Sequence, residues 1–319
     1  MTKKKVEKNV IQFMHPSNLV SHPKIFKGES RWFKNFDNKE ILLWNYSAHN
    51  RKPMIAEGEY LCKNSVKSKE LIFWGEWEEC SIYENGYFIP VLATNKPKGK
   101  TNTDPFVFGD HFYYTTCQQK DKNSDLTDLQ KGALILFGCH KDNSFYIDTV
   151  FVVGDILDQD EVEKKKGSFS KAFQTAVLDA LVSKGAQGES KNRRNNKCKT
   201  YVGQMYSEDQ DFYSFVPCVL DKQETPEKAR FKLSETLMKK FNLKPNLRQH
   251  YAVIENANAK SLWKEIVKEV KDPFSIAVKF EEPKDYELKL SSSKKDWLKK
   301  FQDSCNLKKE NDSNCNAIC

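Results

Sequence analysis

The chain has little of what marks the familiar chemistries. Across 319 residues there is no CxxC pair and no cysteine–histidine spacing of the kind that builds a structural zinc site. Its nine cysteines are odd in number and scattered, which argues against a disulfide framework and for a reducing, cytoplasmic setting. No apolar run approaches the roughly 18–20 residues that a membrane-spanning helix needs. The start, MTKKKVEKN, has basic residues with no apolar segment behind them, so no signal peptide is expected. Cys315 and Cys319 close the sequence, but prenylation requires a cysteine where Asn316 stands. The glycine patterns of a P-loop or a dinucleotide fold are missing, as are an HExxH zinc pair and a GxSxG nucleophile turn. No metal, no cofactor and no membrane partner are therefore expected, and nothing in the pattern sets an oligomeric state.

What is present supports a folded, soluble body. Aromatic residues make up 12% of the chain, enough for a real core, and a mean hydropathy of -0.71 fits a polar surface. The net charge of +8 is local. Residues 1–8 hold four lysines against one glutamate, and KNRRNNKCK (191–199) holds five basic residues and no acid, which together equal the whole excess. The rest is about neutral. Two basic patches on a neutral body suit contact with phosphates, and equally suit a solvated tail and a solvated loop.

Along the chain, residues 10–60 mix short apolar and aromatic pieces that read as strands and irregular segments. ELIFWGEWEECSIY (70–83) reads as a strand broken at Gly75. ALILF (133–137) and FYIDTVFVV (145–153) read as a hairpin turned by GCHKDNS. After Gly154, DQDEVEKKKG reads as a charged connector. Phe169, Phe173, Ala176, Val177, Ala180 and Leu181 then recur at helical spacing, with Ser168 placed to cap and Gly185 to stop. Thr225-Pro226 opens a second helix carrying Leu233, Leu237 and Phe241 inward. A third spans 258–271 with Leu262, Ile266, Val267 and Val270 on one face, and FSIAVKFEE reads as a last strand. Ser293 and Asp296 stand at the cap and third position of a short terminal helix before a disordered tail. The fold class expected is α+β, with a mostly-β recognition domain over 1–157, an α/β domain over 168–285 packed against it, and a short helix and tail over 286–319.

The segment LQKGALILFG…FYIDTVFVVGDIL (129–157) resembles the end of PUA-like domains such as the EVE and ASCH modules. In those, a glycine-led apolar strand is followed by a strand that closes a small barrel. Gly132 matches, and Ala133 stands where an acid is usual. The resemblance covers about 30 residues and implies a barrel or curved sheet with an aromatic pocket for a modified or flipped base. FWGEWE (73–78), NTDPFVFG (102–109), DTVFVV (148–153) and YSFVPC (213–218) also look like a family of bacterial proteins of unassigned activity.

The candidate site is read from residue chemistry. Trp74 and Trp77 flank Gly75, and a bulge there would let two indoles converge on a base. Glu78 would accept from the base edge. Asp104 precedes Pro105 and is held extended. In alternation Asp148 shares a strand face with Val150 and Val152, an unusual place for a carboxylate. TDPFVFGDHFYYTTC (103–117) is expected to place Phe112 and Tyr114 in the core, and Asp104 and Phe108 in the pocket opposite Trp77, Glu78 and Asp148. Arg193, Arg194 and Lys197 would hold phosphates. Cys117 and His111 stand too far apart on a strand to act as a dyad, and His15, His49, Tyr213 and Phe215 read more readily as structural. The leading reading is a protein that binds nucleic acid or a nucleotide through an unusual base. The alternatives are an enzyme acting on such ligands through Glu78, Asp104 or Asp148, and a partner-binding protein of phage defence or toxin type.

Overall fold

The computed structural model describes residues 9–14, 18–19, 31–34, 41–44, 50–63, 65–94, 103–116, 125–179, 199–245, 247, 251–255, 257–270 and 272–287. At 18–19, 31–34, 41–44, 50 and 94 it describes the backbone alone. His15, His49, Cys117, Gly185, the run 191–198 with Arg193, Arg194 and Lys197, and the terminal segment from 288 lie outside the described residues.

The strands are β1 (Val10–Met14), β2 (Asn18–Leu19), β3 (Arg31–Lys34), β4 (Ile41–Trp44), β5 (Asn50–Cys62) and β6 (Ser65–Glu76). There follow β7 (Ser81–Glu84), β8 (Tyr87–Thr94), β9 (Tyr113–Thr115), β10 (Leu134–Lys141), β11 (Ser144–Leu157) and β12 (Thr200–Gly203). The last are β13 (Val216–Val219), β14 (Phe231–Lys232), β15 (Tyr251–Val253), β16 (Phe274–Phe280) and β17 (Lys284–Glu287). Among the described residues helices are few: α1 (Gln159–Lys164), α2 (Lys171–Phe173), α3 (Glu235–Lys240) and α4 (Ala259–Glu269). The protein is thus α+β with a sheet-dominated core.

Two sheets carry the fold. One runs β15-β1-β10-β11-β12-β9, with β14 also paired to β11. The other runs β16-β13-β6-β5-β8-β7-β4-β3, and β16 returns to pair with β5, so that β5, β6, β13 and β16 close a circuit. Each sheet takes strands from both sides of 158–168, the boundary expected from composition. The halves of the chain are interleaved because late strands fill places beside early ones. One apolar cluster joins Phe13 and Phe137 of the first sheet to Met54 and Phe73 of the second. Another packs α4, through Leu262, Trp263 and Ile266, on Leu134, Leu136 and Val152.

The β10–β11 hairpin forms as its apolar runs suggest, but GCHK continues the strand, and the turn is Asp142-Asn143. Both residues have positive φ, 51° and 54°, the left-handed pair that matches the twist of a tight hairpin. Other boundaries differ from the sequence reading for local reasons. The charged connector after Gly154 folds as α1, because Asp158 and Glu161 complete a reciprocal capping box. Ser170, not Ser168, caps α2, which then widens into a π turn over Gln174–Leu178. Pro226 opens only a 3-10 turn, since β14 intervenes and α3 has its own cap in Ser234. The helix over 258–271 is present as α4, capped by Asn258.

Candidate functional site

The sequence places three carboxylates, Glu78, Asp104 and Asp148, far apart along the chain. The structure gathers them around one end of the β5–β6 ladder, where Arg51 pairs with Glu76, Lys52 with Gly75 and Pro53 with Trp74. Gly75 is regular in this ladder, so the expected break is absent. Its lack of a side chain has another cause: a Cβ there would stand 2.8 Å from the Met54 methyl. Without a bulge, Trp74 and Trp77 diverge. Trp74 packs with Ile55, Ile72 and Tyr87, and Trp77 joins the main core with Phe106 and Phe108.

Asp148 reaches the ladder end through a bulge elsewhere. Phe137 pairs with Thr149 and Gly138 with Ile147, so Asp148 is the extra residue of β11. The bulge takes it out of the alternation with Val150 and Val152, which pack with Ile147 and Phe145. Its carboxylate meets the Arg51 Nε at 3.0 Å and the Arg230 Nε and Nη2 at 3.3 and 3.2 Å. The Arg230 guanidinium lies 4.5 Å from the Trp74 ring centroid and 5.3 Å from that of Tyr146. Stacking on rings while forking onto a carboxylate is what a guanidinium does and an ammonium does not.

Asp104 approaches the same rung from the other side. Its N–H donates to Glu76 Oε2 at 3.1 Å, and its own Oδ1 accepts from the Thr115 N–H at 3.3 Å. The Glu78 N–H donates to Thr103 Oγ1 at 3.1 Å, and the Thr103 N–H donates to the carbonyl of Ala176 in the π turn. Trp77 Nε1 donates to the Cys80 carbonyl at 2.8 Å and closes the 77–80 loop. The result is a braced loop, held by Thr103 and Asp104 from outside and by the Trp77 indole from within.

Glu76, Glu79, Asp104 and Asp148 are each 1% exposed. Interiors exclude carboxylates unless partners compensate them, and such clusters concentrate at functional sites. Asp104 and Asp148 spend acceptor atoms on internal partners, so here they act as braces. Glu78, half-buried, is the acid of this group that solvent still reaches. The rings meet each other. Trp77 and Phe108 are edge to face with centroids 5.2 Å apart, and both are 1% exposed. A stacked base requires about 7 Å between ring planes, twice the van der Waals separation. Trp77 and Phe108 are therefore core residues in this conformation. TDPFVFGDHFYYTTC is not one strand: Phe106 bridges back to Tyr113 across a turn in which Gly109 has φ of 81°. Phe112 and Tyr114 are buried as expected, and so are Tyr213 and Phe215. His111 is exposed beside the Tyr113 ring.

Sequence reading missed Lys52. It sits in a polar stretch that gives no signal until β5 pairs with β6. Burial pulls its amine down to about 8, against the opposing pull of Glu78, Glu76 and Cys80. A lysine lowered in the folded state binds fewer protons there than in the unfolded chain. From about pH 8 to the unfolded value near 10.5 it therefore makes stability rise with pH. Cys80, pushed up to about 12 by burial, acts in the opposite direction above pH 9. Lys52→Met removes the first effect and, by taking away the charge that holds the Cys80 thiol down, strengthens the second. Denaturation series from pH 7 to 10.5 are expected to show the variant losing stability relative to the wild type as pH rises. Parallel curves contradict the burial of this amine.

Among the described residues, no group of three or more histidine, cysteine, aspartate or glutamate side chains is placed to hold a metal ion, and no helix is long and apolar enough to cross a membrane. No protein-family model, no curated protein and no solved structure matches the chain, so the functional reading rests on the geometry of this ladder end.

Proposed function

We propose that the protein binds a nucleotide or nucleic acid and reads a base with Glu78 at the end of the β5–β6 ladder. The observation that carries this reading is the half-buried Glu78, which solvent reaches, on a loop pinned by Thr103, Asp104 and Trp77 beside buried carboxylates. An acid on a loop so held is suited to accept from an exocyclic amine or ring N–H, and a fixed backbone is what a base-reading group requires. The PUA-like resemblance rests on β10 and β11, which lie in the other sheet from the circuit of β5, β6, β13 and β16, so it supports this reading through the sequence alone. The resemblance also supplies the class of ligand, an unusual or flipped base. In this reading Trp77 and Phe108 wall the loop from within, and Arg193, Arg194 and Lys197 contribute phosphate contacts.

The test is a melting-temperature and fluorescence-anisotropy panel of nucleosides, nucleotides and short oligonucleotides with natural and modified bases. A ligand at 100 times its dissociation constant adds about 2.7 kcal/mol. Glu78→Gln is expected to remove most of that gain, measured against the melting temperature of the free variant. Replacing Arg193, Arg194 and Lys197 by alanine is expected to flatten the salt dependence of duplex binding by a slope of about 0.9 per lost phosphate contact. A panel in which no base-bearing ligand shifts either readout overturns the proposal.

A further inference from the structure

The far end of the β5–β6 ladder, away from Glu78, is built differently. β6 pairs with β5 along its whole length, but on its other side β13 meets it only at Ile72 and Phe73. Residues 65–70 of β6 are all exposed, and Val66 is 41% exposed. The alternation of an antiparallel ladder fixes what this edge presents. The Glu57 carbonyl accepts from the Glu281 N–H at 2.8 Å, on the side of β5 away from β6. Glu57 and its partner Glu70 are thus turned away from each other. Counting back by two, Ser68 and Val66 share the aim of Glu70. Each of these three presents an N–H and a carbonyl to the open side, while Lys67 and Lys69 turn theirs to β5. Ile72 is next in the same series, and there β13 pairs with β6. The open lane continues the line of β13 for about 20 Å, at a rise of about 3.3 Å per residue.

A row of donors and acceptors in alternation is matched by another strand. A DNA backbone has acceptors for the N–H groups but no donor for the carbonyls. Side chains narrow the choice further. Lys67 and Lys69 share one face, opposite Tyr60 and Gly58. Lys69 Nζ meets Asp221 Oδ1 at 2.9 Å, two residues past the end of β13, so an acid beside this lane reaches a β6 lysine. A second copy of the chain fits poorly. In antiparallel pairing, outward-turned residues meet outward-turned residues, so Glu70 never stands opposite Lys67 or Lys69. We propose that this edge docks an extended segment of a partner protein as an added strand, in which acidic residues face Lys67 and apolar ones alternate with them beside Val66. The surface goes beyond the base-reading end of the ladder and does not depend on it.

The probe is a short fluorescein-labelled peptide of alternating glutamate and valine, added to the full chain and followed by anisotropy. Two controls replace its glutamates by lysine or methylate alternate backbone nitrogens. The expected result is binding of the glutamate peptide at least about tenfold tighter than either control. Lys67→Glu is expected to weaken the glutamate peptide at least about tenfold and to strengthen the lysine peptide. Ser68→Pro deletes an outward N–H and is expected to abolish binding, with circular dichroism confirming the fold. Hydrogen exchange on the wild type reads the pairing directly, even where a variant fails to fold. The peptide should protect the amides of Val66, Ser68 and Glu70 and leave those of Lys67 and Lys69, already bonded to β5, unchanged. Equal binding of the glutamate and lysine peptides, or no added protection at those three amides, overturns the inference. So does sedimentation of the chain alone as a dimer that Ser68→Pro dissolves, which gives the edge to a second copy. Displacement of the peptide by an oligothymidylate, lost in Lys67→Glu, gives the lysines to phosphates and overturns it as well. Glu78→Gln leaves every peptide readout unchanged, so this inference and the base-reading proposal can fail separately.

Discussion

Asp148→Ala is expected to lower the unfolding free energy by about 3–5 kcal/mol in chemical denaturation, among the largest effects of a single polar replacement among the described residues. The side chains of Arg51 and Asp148 are fully buried, and that of Arg230 is 4% exposed. Removing the carboxylate leaves two guanidiniums facing each other in a medium that cannot hydrate them. The loss therefore arises less from a missing attraction than from two charges without their common counter-ion. Two further measurements separate this cause from ordinary truncation. The loss should be nearly the same at low and high salt, because screening acts on exposed charges and this acid has no solvent contact. The double replacement Asp148→Ala, Arg230→Met should cost less than the two single losses added, because the interaction between the two side chains is lost only once. A loss under about 1 kcal/mol for Asp148→Ala contradicts the geometry of the triad.

That triad also shows where the sequence was readable and where it was not. An acid in FYIDTVFVV stands out because its neighbours are apolar, and its burial is what that anomaly signals. Its partners are not legible. Arg51 sits in a polar stretch and Arg230 at the end of a turn, and only the pairing of β5 with β6 and of β14 with β11 brings them to it. The β10–β11 hairpin and α4 were legible because their apolar periodicity is local. The interleaving of the two sheets was not, because strand neighbours far apart in sequence leave no local trace. The aromatic residues of 103–117 misled for a related reason. Rings mark burial and stacking alike, and only their mutual packing distinguishes a wall of the core from an open slot. Asp104 and Glu78 were legible as a pair to be brought together. Their division of labour, a brace and a half-exposed acid, is set by backbone N–H groups whose positions no side-chain pattern reveals.

Gly138→Ala is expected to destabilise the protein by at least about 3 kcal/mol, and to do so through the same acid. A Cβ at position 138 would stand 2.0 Å from the Tyr146 carbonyl oxygen and 2.9 Å from the Phe145 ring. The ring can yield by a few tenths of an ångström. The carbonyl belongs to the backbone of β11 beside the bulge and cannot move without opening it. Gly138 pairs with Ile147, the residue just before the bulged Asp148, so relief of the clash shifts the carboxylate away from Arg51 and Arg230. Gly132→Ala is the proper control. Gly132 has φ of 81°, and a methyl added there would meet nothing within 4 Å, so its replacement meets backbone strain alone, about 1–2 kcal/mol. The order of losses should therefore be Gly138→Ala above Gly132→Ala, although both are single methyl additions on the same hairpin. The coupling gives a sharper test. If Gly138 serves the bulge and the bulge aims the acid, the double variant with Asp148→Ala should cost clearly less than the two losses added, because the second change removes what the first had already displaced. Gly132→Ala, which touches no part of that arrangement, should add to Asp148→Ala within about 0.5 kcal/mol. Strict additivity for Gly138 would mean that the glycine relieves only a local contact, and that the position of Asp148 is set by something other than the bulge.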